Sequence, residues 1–165
     1  MVEHRESYSF HQLDMVEHYA QKEGWEFYRV TDEELALAIE GKSRFHTIKL
    51  VWFPKSETLI LQCTVHMEPP LHLLNDFLHL VNQCNRITAQ GKFTFIREEF
   101  YLTYQTHLLL VGEKLPTHQQ ICVLVQSIIG SMDTFMPAFT ALATSQATIG
   151  QALQKYLPKR NKDQT

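Results

Sequence analysis

The apolar positions of this chain change period several times, and each change marks an element. Phe10, Leu13, Val16 and Ala20 follow helical spacing up to Gly24. Ser9-Phe10-His11-Gln12 has the Ser-x-x-Gln form, in which two side chains satisfy each other's free backbone donors at a helix start. From Trp25 the period becomes two: Trp25, Phe27 and Arg29 alternate with Glu26, Tyr28 and Val30, as in a strand. Thr31-Asp32-Glu33-Glu34 would also cap a helix through Ala36 and Ala38. Leu35, Leu37 and Ile39 alternate, however, and Gly41 ends the run after one strand length, so a second strand is predicted.

Phe45 to Phe53 and Thr58 to Met67 alternate again, joined by the polar turn Pro54-Lys55-Ser56-Glu57, and should pair as an antiparallel hairpin. Its core faces are His46, Ile48, Leu50 and Trp52 on one strand and Leu59, Leu61, Cys63, Val65 and Met67 on the other. Pro69-Pro70 cannot sit inside a strand and opens a helix. Its stripe is Leu73, Leu74, Phe77, Leu78, Val81 and Cys84, with His72, Asn75, Asp76 and His79 at the rim. Gly91 turns into Phe93 and Phe95. After Arg97-Glu98-Glu99, Phe100, Leu102, Tyr104, Thr106, Leu108 and Leu110 alternate with Tyr101, Thr103, Gln105, His107 and Leu109, giving a second hairpin.

Thr117-His118-Gln119-Gln120 is another capping-box start, followed by Ile121, Val125, Ile128, Met132, Phe135, Phe139 and Leu142. Cys122, Ile129, Met136 and Ala143 form a second apolar line, so this helix should touch more than one layer. Pro137 should bend it near Asp133. Thr148 to Leu157 reads as a short final helix, and 158–165 as a polar tail without structure. The order α-β-β-β-β-α-β-β-α-α, with short turns between strands, predicts one α+β domain over 1–157: an antiparallel sheet with helices packed against it.

Composition narrows the function. A chain of 165 residues that is 44% hydrophobic can bury a core unaided. A formal charge of −3 leaves no basic excess for nucleic acid or an anionic membrane. Cys63, Cys84 and Cys122 are scattered, as a reducing cytoplasm permits. The acidic start does not look like a signal peptide, and no later run approaches a membrane span, so a cytoplasmic protein is expected.

His4, His11 and His18, like His72 and His79, recur every seven residues, which on a helix is about 10 Å and too far for one ion. Cys63 and His66 fall on opposite faces of a strand. There is no Gly-x-Ser-x-Gly elbow, no activated-cysteine signature and no phosphate-cradling glycine loop, and Glu33-Glu34 and Glu98-Glu99 lie at turns. No catalytic residue, cofactor or metal site is predicted.

What remains is a mixed face: Tyr101, Thr103, Gln105 and His107 on one strand, Phe45, Thr47, Lys49, Val51 and Phe53 on another, Ile60, Gln62, Thr64 and His66 on a third. It is either a surface for partial burial by a partner or the ordinary solvent face of an antiparallel sheet. Candidate interface residues are Phe45, Val51, Phe53, Tyr101, Gln105 and His107 on the sheet, with Cys122, Ile129 and Met136 on the long helix. The alternative is a ligand or enzyme pocket between sheet and helix, lined by His46, Trp52 and Tyr104.

With the elements in place, Leu35-Ala36-Leu37-Ala38-Ile39-Glu40-Gly41, the Leu80-Val81-Asn82 helix leading to Gly91-Lys92-Phe93, and Phe135-Met136-Pro137-Ala138-Phe139 resemble the YbjN-like family of bacterial sensory transduction regulators. The likeness runs from about Leu13 to Leu153. That family is similar in architecture to class I chaperones of type III secretion, small acidic α+β proteins that dimerise and hold extended effector segments. The resemblance implies a non-catalytic, protein-binding, homodimeric module, and it brings no catalytic residues to carry over.

Overall fold

The computed structural model describes residues 11–112 and 114–159. The Ser9 cap, the Phe10 contact, His4 and positions 160–165 of the tail lie outside the described residues.

The first helix, α1 (Gln12–Glu23), begins at His11, whose Nδ1 accepts from the Leu13 N–H at 3.1 Å while its own N–H donates to Asp14 at 3.0 Å. The cap is therefore a His-Asp exchange starting at His11. Gly24 closes the helix in the left-handed region at φ 71°. Then come β1 (Glu26–Thr31), β2 (Glu34–Glu40), β3 (Phe45–Phe53) and β4 (Thr58–His66). A single 3-10 turn at Leu71–Leu73 leads into α2 (Leu74–Ile87). The hairpin β5 (Lys92–Ile96) and β6 (Tyr101–Leu109) follows, then α3 (His118–Ala143) and α4 (Ile149–Lys155).

The architecture is α+β, with all neighbouring strands antiparallel in the order β1-β2-β3-β4-β6-β5. The chain leaves β4, crosses through α2 to the far edge and returns along β6 between β5 and β4. Period two decides which residues enter the core: Leu35 and Leu37 on β2, Ile48 and Leu50 on β3, Leu59 and Leu61 on β4 and Leu102 on β6 are fully buried. Each such side chain contributes about 1.5–3 kcal/mol of burial free energy. An aromatic group fills the β5 end, with ring centroids 4.8 Å apart for Phe93 and Tyr104 and 5.2 Å for Phe77 and Phe139.

The edge strand β5 is finished by a side chain rather than a strand. Asn85 of α2 donates to the Phe93 carbonyl at 2.9 Å and accepts the Phe93 N–H at 2.7 Å. This occupies backbone groups that would otherwise be open to another chain.

Some details differ from the periodicity. Leu78 is exposed and Leu80 is buried. At 100° per residue the two flank the α2 stripe about equally, so packing makes the choice. Phe100 sits in the turn before β6 at φ 56° and is partly exposed rather than a core strand residue. The long helix α3 starts with the expected Thr117–Gln120 capping box and runs unbroken through Pro137. Against the expectation that no run approaches a span, α3 is long and apolar enough to cross a membrane by length and composition. Its apolar character has an internal use: it touches α1, α2, α4, β4 and β6.

Candidate functional site

The described helices pack against one face of the sheet, and the opposite face carries the outward half of every strand. One row crosses all six strands in register as Tyr28, Ala36, Lys49, Gln62, Gln105 and Lys92. Beside it Thr64, Thr103 and Thr94 align, with the Thr64 and Thr103 hydroxyls 2.9 Å apart. The middle of the face is thus polar, and Lys49 is already paired with Glu34 at 3.1 Å.

Apolar residues gather at two margins, while Tyr28 of the edge strand β1 is 71% exposed in the polar row and Val51 and Ile60 stand in register beside that row. At one, Phe53, Thr58 and Leu109 are in register, with Phe53 44% and Leu109 63% exposed. At the other stand Phe45, Tyr101 and Ile96, 65%, 38% and 40% exposed. Phe45 and Phe53 are the two ends of the nine-residue β3, roughly 26 Å apart at about 3.3 Å per step. The candidate interface residues on the sheet therefore share one face. Phe45 and Tyr101 occupy one margin, Phe53 the other, and Val51, Gln105 and His107 lie between them. The helix candidates do not form a matching surface. Cys122 and Ile129 are half-buried, and Met136 is 6% exposed because that line of α3 packs inward.

The expected pocket residues are all buried, but they stand apart. Trp52 is at the opposite end of β3 from His46, and Tyr104 packs on Phe93. His46 alone lines a cleft, of about 300 Å³, with Arg44, Asp133, Pro137, Thr140 and Tyr156. In it His46 Nε2 meets Asp133 Oδ1 at 2.9 Å, with side-chain exposures of 2% and 7%. The other carboxylate oxygen accepts the Lys42 N–H at 3.0 Å. Gly41 makes room for the pair, since a Cβ there would lie 2.6 Å from the imidazole and 2.7 Å from the carboxylate.

Burial opposes the charge on Asp133. The hydrogen bonds from His46 and Lys42 and their positive charge outweigh it, and hold the carboxyl below its ordinary value. A carboxylate-oriented imidazole is suited to proton transfer. In this structure the pair fastens the β2–β3 turn to α3.

Sequence reasoning placed His46 on the core face and missed Asp133 as its partner. The signal available was a histidine in an otherwise apolar strand face, which needs a buried polar partner.

Comparison with known proteins gives a consistent picture. The family model YbjN, described as "Putative bacterial sensory transduction regulator", matches residues 12–141. No curated protein matches the chain significantly. Among solved structures, the crystal structure of YbjN from E. coli, described as "a putative transcription regulator", is similar at a TM-score of 0.57. It has 13% sequence identity and covers 81% of this chain and 93% of that one. At that identity the likeness speaks for the fold.

Proposed function

The chain belongs to the YbjN family, and from that membership we propose that it is a non-catalytic regulatory module that works by binding protein through the outer face of its sheet. The observation that carries this reading is the pair of apolar margins, Phe45 with Tyr101 and Phe53 with Leu109, flanking a polar, charge-balanced centre. Six strands of five to nine residues, at about 4.8 Å spacing and 3.3 Å rise, give a face of roughly 700 Å². That is close to the roughly 800 Å² each partner contributes to a standard interface.

The partner the chain itself can supply is a second copy. Two such faces related by a two-fold axis would bury both margins at once. In the chaperone-like form of this reading, an extended segment of another protein lies along the same face. Nucleic acid is disfavoured, because the chain carries −3 net charge and the two lysines of the central row are engaged, Lys49 with Glu34 and Lys92 with the Asn85 and Thr88 carbonyls.

The test is affinity capture from bacterial cytosol with the wild-type chain and a Phe45→Glu/Phe53→Glu variant as baits. A partner held by the first and lost by the second supports the reading. Repeated capture of the same proteins by both baits removes it, and repeated capture of nothing removes the form with another protein and leaves a second copy of this chain as the occupant of the face.

A second reading rests on the buried His46–Asp133 pair beside its cleft. There a small polar ligand would be bound by imidazole and Arg44. A thermal-shift screen in which stabilising compounds lose their effect on His46→Gln would favour it, and a screen without such compounds would end it.

A further inference from the structure

At the opposite end of α3 from the His46 cleft, the structure gathers three side chains whose types are those of a transition-metal site. Glu23 is the last residue of α1, and His118 and Cys122 stand one turn apart at the start of α3. Their ligand atoms lie within 4.8 Å of one another. His118 Nε2 is 2.8 Å from Glu23 Oε1, and the Cys122 thiol donates to the same oxygen at 3.5 Å. The pairing of histidine and cysteine four apart on a helix is a chelating spacing, because it puts both side chains on one face. It escaped the spacing test applied to the other histidines.

We propose that Glu23, His118 and Cys122 form a binding site for a divalent transition-metal ion of the zinc class, with a fourth position open to water. Tetrahedral zinc with bonds of about 2.0–2.3 Å sets neighbouring ligand atoms roughly 3.3–3.7 Å apart. The Cys122–Glu23 separation already fits at 3.5 Å. The His118–Glu23 contact has to widen by about 0.6 Å to admit the ion.

The imidazole is held for this role from behind. Tyr19 stacks on His118 with centroids 4.9 Å apart and planes 11° from parallel, and the Tyr19 hydroxyl is anchored on the Pro116 carbonyl at 2.8 Å. Orientation of a ligating ring by an outer contact is a recurrent feature of metal sites.

The mixed donor set of one thiolate, one imidazole and one carboxylate selects zinc, or cobalt in its place, over magnesium and calcium, which favour oxygen alone. The half-exposed setting leaves room for the water. Ligation by Cys122 as a thiolate releases its proton to solvent, and the imidazole ligates through Nε2, the nitrogen that already faces Glu23. The ion would fasten the end of α1 to the start of α3. It is independent of the sheet face, so either can fail without the other.

The test is titration of chelator-treated full-length protein with cobalt and zinc. Expected are one ion per chain, a thiolate-to-cobalt charge-transfer band with tetrahedral visible bands, and a rise in melting temperature with zinc. Cys122→Ser should abolish the charge-transfer band. His118→Ala and Glu23→Gln should weaken zinc binding by about tenfold or more. Protection of Cys122 from alkylation by zinc in the wild-type protein provides a reading that needs no variant. Absence of the band, zinc affinity unchanged in Cys122→Ser, or alkylation indifferent to zinc would overturn the site.

Discussion

Asp133 of α3 binds His46 of β3 through one carboxylate oxygen at 2.9 Å and the Lys42 N–H through the other at 3.0 Å. One buried carboxylate thus ties the turn between two strands to the middle of the longest helix, and the consequences can be measured.

Replacing Asp133 by Ala leaves the His46 ring nitrogen and the Lys42 N–H without their acceptor. The expected loss is about 1–3 kcal/mol in urea unfolding, chiefly the cost of stranding the buried His46 imidazole, since the Lys42 N–H is exposed and can turn to water. Because the folded carboxyl titrates below its ordinary value of 3.8, the folded state gains from its charge at any pH above that value and loses the gain as pH falls through the lower folded value. The stability gap between wild type and Asp133→Ala should therefore be full near neutrality and shrink only below about pH 3.8. A gap that closes between pH 5 and 7 would place the linkage on another group.

Gly91 lies under the Tyr104 ring, where an added Cβ would come within 2.5 Å of the ring carbon. Tyr104 is 1% exposed and cannot swing into solvent. Gly91→Ala should cost about 1–3 kcal/mol as overpacking. Combination with Tyr104→Leu should recover part of that loss, seen as non-additivity in a double-mutant cycle of unfolding free energies.

Asn85 supplies the strand partner that β5 lacks. Asn85→Ala exposes the Phe93 N–H and C=O on an edge, with an expected destabilisation of about 1–3 kcal/mol. Amide exchange at Phe93 should accelerate selectively. Asn85→Ala with unchanged exchange at Phe93 would mean that another group satisfies that edge.

The thiols should separate cleanly. Burial pushes Cys63 up to about 11 and Cys84 up to about 12, so neither forms thiolate near neutral pH. Cys122 is half-buried at the helix end. Solvent reaches Cys122 alone of the three, so a disulfide reagent at pH 8 should count it ahead of the other two in the folded protein, although burial and Glu23 raise its thiol as well, and should count all three in denaturant.

The fold was legible because its elements announce themselves locally. Leu35, Leu37 and Ile39 select a strand over the competing helix by period alone, and the structure makes Glu34–Glu40 a strand. Gly24, Thr117 and Gln120 mark helix ends for the same reason. What the chain hides are choices settled by packing or by distant partners. Leu80 and Leu78 are equivalent until α2 is laid on its neighbours, and His46 and Asp133 are separated by 87 positions. Trp52, Tyr104 and His46 share an inward direction, which is all a period of two can state, and they end in different parts of the core. His118 and Cys122 were within reach of sequence reasoning, but Glu23, which completes the group, comes from a different helix.

Binding through the outer sheet face is most directly tested by the mass of the purified protein in solution. Light scattering at micromolar concentration should give twice the chain mass of 19.3 kDa for the wild type, and the single-chain mass for Phe45→Glu/Leu109→Glu. A wild-type protein that is monomeric there, or a dimer indifferent to both substitutions, would contradict the use of this face by a second copy.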